Sequence, residues 1–267
     1  MSRKQFYILL SIYVTGLIAG TFLDFQVSQL LYDSDRMIGN FMNVAAMIPA
    51  AAIMSFCAGI VYWYCRDEYP ALKYPSAVLP FAAGVAAFRE IGQWRQLDLT
   101  VRIAIGLAIG LLIILIFHIV KPVIYRDRFI LAVTVLLVAI VASSSIGILK
   151  QIWGRRRYYS MEDPVTQFMV WYIPHPFASS DFYRSFPSGH TGFASLILFM
   201  PYLSEMAGIK ADIKITGYVS VAWVWAVMYS RIVYGAHFLT DVCFGAIIGL
   251  VCCYIAQKEL RKLTEYT

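Results

Sequence analysis

Long apolar runs, separated by shorter polar segments, constrain this 267-residue chain more than any other feature of its sequence. An apolar run of about 17–25 residues is long enough for a helix to cross a hydrocarbon core of about 30 Å. Hydrophobic residues make up 60% of the chain and charged residues only 14%, whereas soluble globular domains carry about 25% charged residues. We therefore predict an all-α, polytopic membrane bundle of about eight transmembrane helices, at residues 6–23, 41–65, 76–92, 101–120, 129–149, 190–206, 213–229 and 235–256.

Segments in the first half of the chain admit more than one interpretation. Residues 6–23 follow Arg3 and Lys4, and we interpret them as an uncleaved helix because the run is longer than the apolar core of a usual signal peptide. Residues 24–40 interleave polar and apolar side chains, which predicts a short interfacial helix, although a plain loop fits the pattern too. The run at 76–92 is the weakest of the eight, and the topology of this half depends on it.

The net charge of +6 is dispersed among the apolar runs, which argues for membrane orientation and against a nucleic acid partner. With the N-terminus in the cytoplasm, most basic residues fall in cytoplasmic segments, as the positive-inside rule requires. The long polar connection at 150–186 is also basic, but it falls on the extracytoplasmic face. We therefore predict a multi-pass protein of the plasma or inner membrane, with ligand-binding charges on the extracytoplasmic face.

An arginine, a histidine and an aspartate crowd into residues 230–241, between the last two apolar runs. Such side chains are costly in a membrane unless they have partners and a function. His237 and Asp241 are four residues apart, so on a helix they would share a face and hydrogen-bond. Gly235 permits a sharp turn that could bring Arg231 towards the imidazole. A cation, an oriented imidazole and a carboxylate are suited to attack on a phosphoryl group.

Two more polar clusters lie at the same membrane face, because the last four helices alternate in direction. Lys150 and the arginines that follow it end the fifth run, and Arg157 and Arg231 have the bidentate geometry that binds phosphate. At the start of the sixth run, Ser188 can cap a helix and Gly189 lets an oxyanion approach the backbone.

His190, beside that anion-binding turn, is suited to donate a proton to a leaving oxygen. Arg155 and Arg156 are open to several readings: contact with lipid headgroups, contact with substrate, or solvation.

The three clusters together resemble the signature motifs of the type 2 phosphatidic acid phosphatase superfamily, which also includes glucose-6-phosphatase-like enzymes and vanadium haloperoxidases. The residues that carry the resemblance are Lys150-x6-Arg157, Pro187-Ser188-Gly189-His190 and Ser230-Arg231-x5-His237-x3-Asp241. One position departs from the pattern: Tyr158 follows Arg157, where the family usually has proline. Proline there would shape the backbone and take no part in chemistry, so we expect activity to survive the change.

The resemblance implies a role for each matched residue. His237 would be the nucleophile that forms a phosphohistidine, Asp241 would orient it, and His190 would protonate the leaving group and then activate water. The phosphate would be held by Lys150, Arg157, Ser188, Gly189 and Arg231. No metal and no cofactor is expected. The whole chain would be one phosphatase domain, with N-terminal helices in residues 1–128 and core helices in residues 129–257.

The predicted activity is hydrolysis of a lipid phosphate or pyrophosphate, of the phosphatidic acid, phosphatidylglycerol phosphate or undecaprenyl pyrophosphate type, by a membrane enzyme surrounded by lipids. A phosphotransferase or a soluble-phosphate phosphatase would use the same residues. An anion channel or transporter is the non-enzymatic alternative, since basic side chains also line anion pores. The His237–Asp241 pair and His190 distinguish an enzyme from a pore, because a pore needs positive charge but no nucleophile. The oligomeric state is not indicated by the sequence.

Overall fold

The computed structural model describes residues 1–33, 39, 41–42, 45–94, 98–175, 180–206 and 212–265, and its regular elements are helical throughout, which confirms the all-α prediction for these residues. The α-helices are α1 (Arg3–Leu31), α2 (Ile48–Glu68), α3 (Lys73–Trp94), α4 (Leu99–Val120), α5 (Arg126–Trp153), α6 (Pro164–Gln167), α7 (Gly189–Ala194), α8 (Met200–Met206), α9 (Ile213–Val233) and α10 (Leu239–Glu265). Short 3-10 turns lie at Pro70–Leu72, Tyr158–Ser160, Asp181–Tyr183 and Ser195–Phe199.

Five helices of the described part are long and apolar enough to cross a membrane, namely α1, α2, α4, α5 and α10. They correspond to the first, second, fourth, fifth and eighth predicted runs, which supports a multi-pass membrane protein. The third and seventh runs are also helical, as α3 and α9, but they do not reach the same apolarity. The structure therefore supports five spans, and the count of about eight stays a prediction.

The helices form two compact units. One consists of Met1–Ala46 and Ile140–Ile255, and the other of Met47–Ala139 and Ala256–Thr267. The first unit contains α1, the end of α5 and all of α6 to α9, together with most of α10. All three polar clusters identified in the sequence therefore lie in this first unit.

Helix α1 is longer than the apolar run predicted for it. A capping box fixes its start: the side chain of Ser2 accepts a hydrogen bond from the backbone N–H of Gln5, and Gln5 returns one to the N–H of Ser2. The helix then continues through Asp24 to Leu31. The prediction of a separate interfacial helix, or a loop, from residue 24 is therefore wrong for 24–31, and 34–38 and 40 lie outside the described residues.

In the first unit, α1 packs closely against the first turns of α10. A Cβ atom on Gly16 would lie 2.7 Å from Sγ of Cys243, and one on Gly20 would lie 2.8 Å from Cγ2 of Thr240. Gly16 and Gly20, spaced as a GxxxG pair, thus form a packing face, as small residues do between membrane helices. This close approach brings the next turn of α1, which carries Asp24, to the start of α10.

The predicted sixth span, residues 190–206, is not one continuous α-helix. It is divided into α7, the 3-10 turn Ser195–Phe199 and α8. Pro201 has no N–H with which to continue α-helical hydrogen bonding to the carbonyl of Ile197. That carbonyl instead accepts from the N–H of Met200 and from the hydroxyl of Ser220, which lies 3.0 Å away.

The second unit is built on contacts among α2, α3 and α4. A Cβ on Gly110 would lie 2.6 Å from Cα of Phe81, so α4 and α3 pack almost backbone to backbone at the GxxxG pair Gly106/Gly110. The indole N–H of Trp63 donates to the carbonyl of Pro122 over 2.9 Å, which ties the end of α2 to the segment after α4.

Candidate active site

The last helix begins later than its apolar run predicts, and this changes the setting of His237. Residues 235–256 were predicted as one span, but α10 starts at Leu239, after a turn in which Gly235 has φ +73°. Glycine reaches this left-handed region without steric cost. His237 therefore precedes the helix, and its Nδ1 lies 3.8 Å from Oδ2 of Asp241. The prediction that His237 and Asp241 share a helix face and hydrogen-bond to each other is therefore wrong.

Asp241 is the fully buried centre of the site. It is the third residue of α10, and its Oδ2 accepts a hydrogen bond of 2.9 Å from the N–H of Phe238, so it satisfies a free donor at the helix start. The same oxygen accepts from the hydroxyl of Ser185. The other oxygen, Oδ1, lies 2.6 Å from Nη1 of Arg155. Asp241 thus holds the backbone on the C-terminal side of His237 in place.

The imidazole of His237 is held by a backbone carbonyl. Its Nδ1 lies 2.6 Å from the carbonyl oxygen of Ser185. A carbonyl oxygen can only accept, so Nδ1 carries the proton and Nε2 keeps its lone pair. His237 lies outside the five candidate membrane-spanning helices. Burial lowers its pKa to about 3, and the charges of Lys150 and Arg157 lower that pKa as well. The side chain is therefore neutral at pH 7, as a nucleophile must be.

Arg155 lies in a buried environment that the sequence did not indicate. Its side chain is 1% exposed, so the solvated and headgroup-facing alternatives are wrong for this residue. Besides its bond to Asp241, its Nη2 lies 2.9 Å from Oδ2 of Asp24, and its Nε donates to the carbonyl of Met169. The guanidinium carbon also lies 4.0 Å from the centre of the Phe238 ring.

Asp24 is a second residue that motif reasoning missed. It comes from α1, is 3% exposed, and its Oδ1 accepts a 2.9 Å hydrogen bond from the N–H of Thr240 at the start of α10. The hydroxyl of Thr240 donates to the other oxygen of Asp24. The length of α1, 29 residues, places Asp24 within a membrane-spanning helix. An ionisable residue in such a helix implies a partner.

The segment before α7 lies against α10, and the predicted cap is present. Ser188 is the N-cap of α7, its Oγ accepts from the N–H of Thr191, and its own N–H donates to the backbone carbonyl of Asp241 over 2.9 Å. A Cβ on Gly189 would lie 3.7 Å from Cε of Lys150, so the lysine stem lies beside the first turn of α7. The ammonium of Lys150 donates to the carbonyl of Arg184.

Arg157, the arginine favoured by motif spacing, is more exposed than Arg155 and pairs with a carboxylate of the long connection. Its Nη1 lies 3.0 Å from Oδ2 of Asp181, and also donates to the hydroxyl of Tyr159. The carboxylate of Asp181 is 65% exposed, so this pair is accessible to water. An incoming anion can therefore compete with Asp181 for Arg157.

Tyr158, at the position where the motif usually has proline, is packed among aromatic side chains. Its ring centre lies 5.1 Å from that of Tyr32 and 6.2 Å from that of Phe238. It also begins the 3-10 turn Tyr158–Ser160, whose Tyr159 N–H donates to the carbonyl of Gly235. Tyrosine therefore anchors the end of the first motif to the turn that carries His237.

His190 is the second residue of α7, outside the five candidate membrane-spanning helices. Burial, and then the positive charge of Arg231, hold its pKa well below its usual range. Lys150 and Arg157 act in the same direction, as does a protonated His237. The structure thus brings the cationic residues of the first and third motifs near the histidine of the second.

Arg231 is 1% exposed and ends α9, where its Nη2 donates to the carbonyl of Gly39 over 3.4 Å. Its guanidinium carbon lies 5.2 Å from the centre of the Tyr234 ring. A buried guanidinium beside an aromatic face is well oriented for a bidentate contact with an anion.

Comparison with known families gives one match. The sequence profile of the PAP2 superfamily matches residues 129–264, which is half of the chain and includes all three motifs. No curated protein and no solved structure matches the chain.

Proposed function

The chain belongs to the PAP2 superfamily, and from this premise we propose that it is a membrane phosphatase that removes a phosphate from a lipid phosphate or pyrophosphate. The observation that carries the proposal is the orientation of His237. Its Nδ1 is occupied by the carbonyl of Ser185, so its Nε2 is the atom left with a lone pair for attack. This arrangement belongs to a nucleophile, and a pore-lining histidine would have no need of it.

The reaction proceeds in two steps. His190 takes up a proton when the negatively charged phosphate binds. Nε2 of His237 then attacks phosphorus, the bond from phosphorus to the leaving oxygen breaks, and His190 gives that oxygen its proton. The product of this step is a phosphohistidine and the free lipid alcohol or lipid phosphate. His190, now neutral, takes a proton from water, whose oxygen attacks phosphorus as the P–N bond breaks. Inorganic phosphate leaves, and both histidines return to their initial states.

The positive charges around His190 act on the phosphoryl group in both steps. Lys150, Arg157 and Arg231 neutralise the charge on the phosphoryl oxygens as it redistributes in the transition state. Ser188 caps α7 and Gly189 begins its first turn, where backbone N–H groups donate hydrogen bonds to a phosphoryl oxygen. These roles follow the motif positions, and the electrostatic influence of the three cations on His190 supports them.

The substrate class follows from the setting of the site in a membrane chain. A phosphorylated headgroup reaches the polar residues while its acyl or prenyl chain stays in the bilayer, which fits phosphatidic acid, phosphatidylglycerol phosphate and undecaprenyl pyrophosphate. Such a reaction belongs to lipid metabolism and to the maintenance of the cell envelope.

We also propose the topology predicted from charge, with the site on the extracytoplasmic face of the plasma or inner membrane. Helices α3 and α9 have 22 and 21 residues, or about 32 Å at 1.5 Å per residue, which is enough to span. Together with the interrupted segment α7–α8 they would complete about eight spans, in a single phosphatase domain of N-terminal helices followed by core helices.

The test is phosphate release by the full chain, purified in detergent with a chelator present, from each of the three lipids. His237→Ala should abolish release. His190→Ala should reduce it by about 10²–10⁴-fold, the usual contribution of a general acid. His118→Ala is the matched control, because His118 lies in α4 and its Nδ1 bonds the Ile114 carbonyl, within the same helix. Acid-labile labelling by a radioactive lipid phosphate should appear in the wild-type chain and disappear in His237→Ala.

Full phosphate release by His237→Ala would exclude the mechanism. Transfer of the phosphoryl group to an added alcohol, in place of release of inorganic phosphate, would identify a phosphotransferase. Anion flux through proteoliposomes that persists in His237→Ala, without phosphate release by the wild-type chain, would favour a channel.

A further inference from the structure

A buried ion network lies behind the proposed nucleophile, and it includes two residues, Asp24 and Arg155, that the motifs do not specify. Asp24 and Asp241 both bond the guanidinium of Arg155, at Nη2–Oδ2 and Nη1–Oδ1 distances of 2.9 and 2.6 Å. All three side chains are at most 3% exposed. Asp24 lies 131 positions before Arg155 in the sequence. The pairing therefore depends on how α1 packs in the first unit.

The guanidinium is held in a single orientation by contacts on every nitrogen. Besides the two carboxylates, Nη1 donates to the hydroxyl of Thr240 over 2.8 Å and Nε donates to the carbonyl of Met169 over 2.9 Å. The Phe238 ring covers its face. Buried charges persist only when their partners and geometry are of this quality. The orientation of Arg155 in turn dictates where Oδ1 of Asp241 lies.

The network reaches His237 through the other oxygen of Asp241. Oδ2 accepts from the N–H of Phe238, the residue after His237, and from the hydroxyl of Ser185. Ser185 then accepts the Nδ1 proton of His237 on its carbonyl oxygen, and its own N–H donates to the carbonyl of Arg155. A rotation of the Asp241 carboxylate would therefore disturb both the backbone and the hydrogen-bond acceptor of His237.

We propose that Asp24 and Arg155 are positioning residues for phosphoryl transfer, which set the orientation of Asp241 and, through it, the tautomer and direction of His237. The inference rests on the proposed function, because it assigns His237 the role of nucleophile. Neither residue touches the reacting atoms. Asp24 shares the charge of Arg155, so that Asp241 keeps Oδ2 for Ser185 and Phe238, and it fixes the N–H of Thr240 at the start of α10.

Asp24→Asn is the direct test, because asparagine keeps the size and one carbonyl oxygen but removes the charge. We expect kcat for phosphatidic acid to fall by about 10- to 100-fold, the loss that small misplacement of a catalytic group causes. KM should stay within about twofold, because the phosphate-binding residues are untouched.

Ser28→Ala is the matched control. Ser28 lies one turn further along α1, is equally buried, and its hydroxyl has no hydrogen-bond partner among the described residues. We expect its kcat and KM to equal those of the wild-type chain. Thr240→Val provides a second route if Asp24→Asn does not fold, since it removes only the hydroxyl between Arg155 and Asp24. It should lower kcat in the same direction.

A readout independent of turnover separates this inference from the proposed function. The chain has four histidines, so ¹⁵N spectra of histidine-labelled protein, with His237→Gln to assign the signal, report the tautomer of His237. The wild-type signal should be that of an Nδ1–H imidazole, and Asp24→Asn should add the Nε2–H form. Absence of phosphate release by the wild-type chain overturns the function, whereas an unchanged kcat and an unchanged His237 signal in Asp24→Asn overturn the inference. A loss that Ser28→Ala shares also overturns it.

Discussion

Asp241 is bonded to Arg155, with Oδ1 2.6 Å from Nη1, whereas its nearest approach to the imidazole of His237 is 3.8 Å, from Oδ2 to Nδ1. The carboxylate therefore orients the histidine indirectly. It fixes the N–H of Phe238 and the hydroxyl of Ser185, and the carbonyl of Ser185 then holds the imidazole. In this arrangement Ser185 is the direct partner of the proposed nucleophile, although it lies outside the three motifs.

Ser185→Ala should lower kcat by about 10-fold or more while KM changes little, because Oδ2 of Asp241 loses a donor and the Ser185 carbonyl loses its anchor. Steady-state phosphate release measures both constants. The control is Ser220→Ala, which removes another buried hydroxyl that bonds a backbone carbonyl, that of Ile197. Both substitutions should cost about 1 kcal/mol of stability, but only the first should change kcat. Equal kcat values in the two variants would refute the role of Ser185.

The local geometry around the proposed site residues could be predicted from the sequence where it depends on short spacings. Ser188 caps a helix beside Gly189 and His190, as the residue pattern indicates. The turn at Gly235 was also predicted, but the start of α10 at Leu239 was not. The helix begins there because the buried carboxylate of Asp241, at its third position, accepts a hydrogen bond from the N–H of Phe238 just before it.

The long-range pairings could not be predicted. Nothing in the sequence connects Asp24 with Arg155, since their contact depends on the packing of Gly16 and Gly20 against α10. The sixth span illustrates the same limit at shorter range. Its apolarity favours one helix, but Pro201 and the hydroxyl of Ser220 together shift the hydrogen bonding around Ile197.

Asp181→Asn should strengthen phosphate binding, because Asp181 holds Arg157 in a pair that an incoming anion must replace. An exposed pair contributes up to about 1 kcal/mol, so the inhibition constant of inorganic phosphate should fall by about two- to five-fold. The effect should shrink at high salt, which screens exposed charges. Glu162→Gln is the control, since it makes the same charge change on the same exposed connection. An equal shift in both variants would point to net charge alone.

Gly245→Ala should displace the turn at Ser188, for which we propose phosphate binding. A Cβ at this position of α10 would overlap the carbonyl oxygen of Ser188, which is backbone and cannot rotate away. We expect a loss of about 1–3 kcal/mol, as for other overpacked sites, and a lower kcat/KM. Gly217→Ala, in α9, has no atom within 4 Å of the added Cβ and should stabilise the helix by about 0.5–1 kcal/mol. Thermal unfolding in detergent and phosphate release measure the two effects; a stable and fully active Gly245→Ala would contradict the packing.

Phosphate binding should be accompanied by uptake of a proton by His190. In the free protein, burial and the neighbouring cations, above all Arg231, keep the pKa of His190 well below the usual range, so the side chain is neutral at pH 7. A bound phosphate offsets those cations and raises the pKa of His190. The imidazole therefore gains the proton that it later gives to the leaving oxygen. Calorimetric titration with inorganic phosphate, in two buffers of different ionisation enthalpy, measures the number of protons taken up. His190→Gln should abolish the uptake while phosphate still binds, and His118→Gln should leave it intact; uptake that persists in His190→Gln would assign the proton to another group.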